Sequence, residues 1–303
     1  MLNLLVTLSL QLLTCISLGY LINKLIPSNP KINSIIDNAI LYCFNPLLIF
    51  YSLWRMNKAI EVIAIVKFLF VPLVVVIFST FVAFVYSRVQ NKEFRSVSLP
   101  IIFMNSGYLA IPINTILFGI EGLAYGNIYS ITVGLLHFTY GIYLVSRKSE
   151  LQFRVKGLQI TLWFLTFVFV GLVFNITGLE VSDKVIKFFS VVSKLVIYIM
   201  LGYIGYEMGA IRGRFDILEG SVVAALRIFS GMFVAAVLAE LLHFSGALRS
   251  VTIISSSMPS AISNYIIADK FGCDKKIASE AIIIGTLASF ILVPLMVYVF
   301  RLQ

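Results

Sequence analysis

Long apolar stretches, separated by short polar or Gly- and Pro-containing segments, fill almost the whole chain. Each stretch approaches or exceeds the roughly 20 residues that an α-helix needs to cross a bilayer. Ten stretches are predicted to cross the membrane, at 4–22, 34–53, 62–86, 97–118, 122–145, 158–178, 187–209, 220–243, 248–269 and 277–300. The pattern therefore predicts an all-α polytopic membrane protein with ten transmembrane helices.

Two of these stretches are interrupted near their middle by polar residues, Gly and Pro. The first break is Asn105-Ser106-Gly107 followed by Pro112, and the second runs over 255–264. Hydrocarbon cannot satisfy the backbone groups freed there, so such breaks occur only where they are buried in protein or line a water-filled cavity. Matched breaks in two halves are typical of the binding site of a secondary transporter. The alternative is two proline kinks satisfied by neighbouring helices, and the matched positions favour the binding site.

The two halves of the chain, 1–150 and 151–303, each hold five predicted helices. Because five is odd, the second half enters the membrane in the opposite sense to the first. The broken helix is the fourth of each half. The arrangement predicts a five-plus-five inverted repeat, forming one membrane unit, in which helices 4 and 9 are broken and cross at the midplane.

Composition and charge agree with a membrane setting. The chain is 60% hydrophobic and 12% charged, more apolar than a soluble domain can bury. The net charge of +9 comes from basic residues that sit singly between apolar stretches, so we expect contact with the lipid bilayer and no nucleic-acid partner. One side of the predicted helices carries about twice as many basic residues as the other. This bias predicts a plasma-membrane protein with both termini outside and the loop 146–157 in the cytoplasm.

The breaks suggest how a ligand would be held. Proline suits the first turn of a helix, so Pro112 and Pro259 are each expected to start a second half-helix. Such a start presents unpaired N–H groups and about half a positive charge, which suits a small anion without any buried Arg or Lys. Neutral side chains near both prolines would add hydrogen bonds, and these are Asn105, Ser106, Asn114, Ser257, Ser263 and Asn264.

Ionisable residues inside predicted helices are functional candidates by default. His137 lies about mid-depth in the fifth helix, where it would carry a proton near neutral pH. The alternative, which we favour, is a neutral His that hydrogen-bonds to a neighbouring helix. Other ionisable residues lie within about two turns of a helix end and are expected to reach the interface; they are Lys67, Lys194, Glu207, Arg227 and Glu240.

Motifs of the common enzyme classes are absent from the sequence. It contains no HExxH, GxSxG or GxxxxGK[ST] segment, and its three cysteines are far apart. We therefore expect no enzyme activity, no cofactor and no metal site.

Several short motifs carry a family resemblance over essentially the whole chain. In the second half they are Met258-Pro259-Ser260-Ala261, Asn264-Tyr265 and Phe271-Gly272, and in the first half Asn45-Pro46, Asn105-x-Gly107, Ile111-Pro112 and Phe118-Gly119. With these motifs the chain resembles the auxin efflux carrier family, which includes plant auxin exporters and prokaryotic malonate or malate permeases. The resemblance implies that an anionic substrate binds at the crossing, against Pro112, Pro259, Asn105 and Asn264.

The resemblance also implies a division of labour and a function. Helices 1, 2, 6 and 7 would form a scaffold, often dimeric, so a homodimer is one option, and helices 3–5 and 8–10 would move against it. We expect secondary transport of a small organic anion (carboxylate- or auxin-like), with efflux driven by the membrane potential through alternating access. One alternative is a proton- or sodium-coupled symporter that imports a dicarboxylate or bile-acid-like organic acid. A remoter alternative is a membrane-embedded ligand sensor.

Three departures from the family pattern bear on substrate and coupling. Ala110 stands where many members have Gly, and Ser263 where many prokaryotic members have Asn. The third helix lacks the mid-depth acid found in some relatives. Substrate identity and ion coupling therefore stay open at this point.

Overall fold

The structure, a computed structural model, describes residues 2–26, 30–56, 62–146, 151–178, 181–211 and 216–302. Almost all of these residues are helical. The helices are α1 (Leu2–Leu25), α2 (Pro30–Ala39), α3 (Asn45–Arg55), α4 (Val62–Val89), α5 (Phe94–Ile102), α6 (Ala110–Leu136), α7 (Ile142–Val145), α8 (Leu151–Thr177), α9 (Asp183–Ala210), α10 (Ile217–Leu241), α11 (Gly246–Ser256), α12 (Ile262–Lys270) and α13 (Lys275–Val299). Two π-helical turns, Ile40–Phe44 and His137–Gly141, join α2 to α3 and α6 to α7.

The outer faces of these helices are apolar. Along α4 the side chains of Phe70, Ile77 and Phe81 are 58%, 60% and 62% exposed, an arrangement suited to lipid rather than to water. Eight segments in the described part of the chain are long and apolar enough to cross a membrane. The prediction of an all-α, multi-pass membrane protein is therefore confirmed.

The breaks explain why eight long segments appear where ten crossings are predicted. The half-helices α5, α11 and α12 have 9, 11 and 9 residues, too short to cross a bilayer singly. The segment Ala110–Val145 is one of the eight long segments. It bends sharply at Gly119, whose φ of 61° favours glycine, so it holds parts of two predicted helices. Each predicted stretch therefore has a helical counterpart, while ten crossings in an inverted repeat stay a prediction.

Close helix packing relies on small residues. The helix α1 packs along α9, and α3 packs along α8. A Cβ added at Gly205 would lie 1.8 Å from the carbonyl oxygen of Ile16, and one at Gly19 would lie 1.8 Å from that of Gly202. Glycine is thus required for the two backbones to approach, as is common between membrane helices.

One predicted loop falls partly outside the described residues. The segment 146–157, expected in the cytoplasm, includes 147–150, which the structure does not describe.

Candidate functional site

The two breaks cross and pair with each other through their main chains. The first lies between α5 and α6 and the second between α11 and α12, and Met104 and Ser260 form an isolated antiparallel bridge. Two hydrogen bonds flank the bridge, from Asn105 N–H to the Pro259 carbonyl (2.7 Å) and from Ala261 N–H to the Phe103 carbonyl (3.1 Å). Each break thus satisfies backbone groups that the other leaves free, which makes non-helical backbone tolerable inside a membrane protein. We call this paired region, 103–109 with 257–261, the crossing.

Asn264 ties the two breaks together by its side chain. Its Nδ2 donates to the Phe103 carbonyl at 2.8 Å and to the Ser260 hydroxyl at 2.9 Å. The residue is fully buried, and its Oδ1 has no hydrogen-bond partner among the described residues. Asn264 therefore both fastens the crossing and leaves an acceptor open beside it.

Two further asparagines leave polar atoms unpaired. Asn114, in α6, donates from Nδ2 to the Ser255 hydroxyl at 2.9 Å, while its Oδ1 is unpaired within the described part of the chain. The Nδ2 of Asn105 also lacks a partner among the described residues, and both side chains are buried. An unsatisfied buried polar group costs about 1–3 kcal/mol. Unpaired atoms of this kind are uncommon in a protein interior, where most buried polar groups are hydrogen-bonded.

The two prolines differ in their roles. Pro112 lies in the first turn of α6, as predicted. Pro259 does not start a helix, because α12 begins at Ile262; that prediction is wrong. The carbonyl of Pro259 instead pairs with the other break, and its ring packs on α13, where a Cβ added at Gly285 would lie 2.7 Å from the Pro259 Cβ.

The smaller predicted ligands are distributed around the crossing. Ser106 is buried, and its N–H donates to the Met104 carbonyl at 2.9 Å. Gly107 is half-buried, and its carbonyl accepts from Ile111 N–H at 3.3 Å. The hydroxyl of Ser257 donates to the Ile253 carbonyl at 2.6 Å, so its proton is already used within α11.

His137 lies at the crossing as well as in the fifth predicted helix. Its ring stacks on Phe103, with centroids 4.3 Å apart and planes inclined by 13°. Its Nδ1 is 3.4 Å from the Ser263 hydroxyl, and its Nε2 has no partner among the described residues. The structure thus brings His137 and Ser263 together, and with Phe103 they connect the fifth helix to both breaks.

The location predicted for Arg227 is also wrong. Its side chain was expected to reach the membrane interface, but it is completely buried. Its Nη1 donates to the carbonyls of Ile101 (3.0 Å) and Ile102, and its Nη2 donates to the Ser256 carbonyl at 3.1 Å. These carbonyls end α5 and α11, so one guanidinium caps the half-helices that enter the crossing. The sequence offered one signal, an Arg within an otherwise apolar stretch.

The polar groups at the crossing are main-chain N–H groups, three asparagines, serines, His137 and the guanidinium of Arg227. Within the described residues, no group of three or more His, Cys, Asp or Glu could hold a metal ion. At the start of α6 the N–H groups of Ala110, Ile111 and Ile113 already donate to main-chain carbonyls, and Pro112 has none. Among the described residues, the start of α12 is therefore the half-helix start with N–H groups left for a carboxylate.

Comparisons with known proteins concern both halves of the chain. Residues 162–297 match a family described as membrane transport proteins. A protein of Methanothermobacter thermautotrophicus, described as an uncharacterised transporter, is 25% identical over 294 residues, which cover 94% of this chain and 95% of the relative. A second uncharacterised transporter, from Methanocaldococcus jannaschii, is 22% identical over 274 residues, covering 86% of this chain and 87% of the relative.

Proposed function

We propose that this chain, a membrane transporter, belongs to the auxin efflux carrier family and carries a small organic anion by alternating access at the crossing. The family and the relatives are transporters rather than enzymes, which confirms that part of the prediction. The observation that supports the proposal most is the buried crossing, where polar atoms of three asparagines are unpaired within the described residues. The Nδ2 of Asn105 is a donor that can bind a carboxylate. The Oδ1 atoms of Asn114 and Asn264 are acceptors, which would pair with a hydroxyl or N–H group of the substrate or with water.

The binding site would be built from both breaks. Asn105 would donate its free Nδ2, and the start of α12 would offer main-chain N–H groups. Pro112, Gly107 and the hydrogen bond from Asn105 N–H to the Pro259 carbonyl would keep the backbone at the crossing non-helical. The remaining members of the proposed site are Ser106, Asn114, Ser257, Ser263 and Asn264.

Matching contacts in the two halves support the inverted repeat. Arg95, at the start of α5, donates from Nε to the Val145 carbonyl at the end of α7, 2.8 Å away. Arg249, at the start of α11, donates from Nη1 to the Phe300 carbonyl just after α13, 2.9 Å away. In each half, therefore, an Arg that begins the broken helix caps the end of the next one.

Further pairs are related in the same way. The helices α1, α3, α8 and α9 lie in the predicted transmembrane helices 1, 2, 6 and 7. A two-fold axis that relates helices 1 and 2 to helices 6 and 7 would exchange the contact of α1 with α9 for that of α3 with α8. The hydroxyls of Ser79 in α4 and Ser230 in α10 are 3.2 Å apart, as expected for equivalent residues next to such an axis. These contacts favour ten crossings with five in each half, 1–150 and 151–303.

Movement would separate the crossing from a scaffold of α1, α2, α3, α8 and α9. Few polar contacts connect the scaffold to the helices that carry the crossing, as expected if one part slides against the other. In the described residues they include Asn127 Nδ2 to the Ser52 hydroxyl, at 3.1 Å, and Ser9 Oγ to the Phe290 carbonyl, at 3.2 Å. The rings of Tyr108 and Tyr203, 5.8 Å apart, place the first break directly against α9. A homodimer through the scaffold remains an expectation from the family.

The membrane potential would drive the transport outward. With a negative interior, each exported negative charge gains about 2.3 kcal/mol per 100 mV. We place the protein in the plasma membrane with both termini outside. The alternative is coupled import, by a proton- or sodium-driven symporter, and the contact between His137 and Ser263 at the crossing favours its proton-driven form. A ligand sensor is the remoter alternative.

Proteoliposomes would test the function. Purified protein would be reconstituted, loaded with radiolabelled malonate, malate or indole-3-acetate, and given an imposed potential without a pH or sodium gradient. Faster efflux with the potential negative inside supports the proposal. Flux that requires a proton or sodium gradient would instead identify the symporter. Saturable binding without any flux under either gradient would identify the sensor.

A further inference from the structure

The four half-helix ends at the crossing cancel electrically. The starts of α6 and α12 each contribute about half a positive charge, and the ends of α5 and α11 each contribute about half a negative charge. The starts favour an anion and the ends favour a cation. The half-helices by themselves therefore give the crossing no preference for the sign of a ligand.

Arg227 breaks this balance. Every partner of its guanidinium is neutral, namely the carbonyls of Ile101, Ile102 and Ser256 and the hydroxyl of Ser79, 3.2 Å from Nη1. No ion pair within the described residues includes it. Its Nε has no hydrogen-bond partner in that part of the chain. The crossing thus carries a full positive charge that no acidic side chain in the described part of the chain neutralises.

Burying an unpaired charge costs free energy. The surroundings of Arg227 nevertheless leave space for its guanidinium. Gly231, on the next turn of α10, leaves room for it, because a Cβ there would lie 2.2 Å from Nη2. The fork of the guanidinium then reaches both half-helix ends at once, as only an Arg can. A neutral side chain could also donate hydrogen bonds to the ends of α5 and α11. The positive charge of Arg227 therefore needs an explanation beyond capping.

We propose that Arg227 is the residue that makes the crossing select anions, while its hydrogen bonds hold the half-helices α5 and α11 in place. It does not contact the substrate and acts through its charge, across the ends that it caps. The inference rests on the proposed function, because it names the origin of the anion preference at that same site.

Ser79 offers a way to neutralise the charge without removing Arg227. In Ser79→Asp a carboxylate would lie beside Nη1, and Ser79→Asn is the control of matched size and shape. We expect Ser79→Asp to bind radiolabelled malonate at least about tenfold more weakly than Ser79→Asn in a detergent-solubilised binding assay, because an adjacent opposite charge cancels the attraction. Both variants should melt within a few degrees of each other.

A second pair of variants keeps the test decisive if Ser79→Asp does not fold. Arg227→Lys keeps the charge but loses the fork, so we expect a lower melting temperature with malonate binding retained. Arg227→Met loses both. Equal malonate affinity in the Asp and Asn variants, or in folded Arg227→Met and the parent, would overturn the inference while leaving the proposed function intact. If the parent binds none of malonate, malate and indole-3-acetate, the proposed function fails first and the inference fails with it.

Discussion

Asn105 and Asn264 lie in the two breaks, but only the side chain of Asn264 fastens one break to the other. It donates to the Phe103 carbonyl across the crossing and to the Ser260 hydroxyl within its own break, whereas the Nδ2 of Asn105 is unpaired among the described residues. We predict that Asn105→Leu abolishes substrate binding and leaves the melting temperature nearly unchanged. Asn264→Leu should abolish binding and also lose about 1–3 kcal/mol of unfolding free energy, since it leaves the Phe103 carbonyl without that donor. Thermal unfolding and ligand binding would be measured on both, and near-normal affinity in both would remove the asparagines from the site.

His137 gives the prediction that separates uniport from proton coupling. Its neighbours at the crossing include the Phe103 ring, the Ser263 hydroxyl and the Asn264 amide, all uncharged. We expect it to remain neutral and to serve as a packing and hydrogen-bonding group. His137→Gln keeps a polar side chain without the titration, so the transport rate against external pH, at fixed potential, should be superimposable on that of the parent. A flattened profile in the variant would instead favour the proton-coupled alternative.

At the scale of elements, the apolar pattern predicted the helices better than their ends. A bilayer-length run has few alternatives to a helix, so all ten stretches have helical counterparts. The sequence could not show that Pro259 would pair with Asn105 instead of starting α12, because that choice depends on the other break. Arg227 was misjudged for the same reason, since its partner Ile101 is 126 positions away. Contacts between distant segments leave no local pattern.

Close approach of α10 to the crossing gives a prediction at the element scale. A Cβ at Gly231 would lie 1.9 Å from the Ser256 carbonyl oxygen, so Gly231→Ala must push α11 away. We expect it to cost about 1–3 kcal/mol, as overpacking does, and to reduce transport. Gly134→Ala is the control, because a Cβ there meets nothing within 4 Å and should stabilise α6 by about 0.5–1 kcal/mol. Thermal unfolding in detergent would compare the two, and equal melting temperatures would contradict the close approach.

The whole molecule has one property that no internal contact determines, its orientation in the membrane. The basic residues predict that the loop between α4 and α5 faces the cytoplasm and the loop between α10 and α11 faces outward. Gln90 and Ser245 are exposed in these loops. With Cys15, Cys43 and Cys273 replaced by Ala, Ser245→Cys should react with a membrane-impermeant maleimide in intact cells. Gln90→Cys should react only after permeabilisation, because an odd number of crossings separates the two loops. Labelling in the reverse order would invert the topology and place both termini inside. Reaction of both sites in intact cells would contradict the odd number of crossings between them, and with it the five-plus-five arrangement.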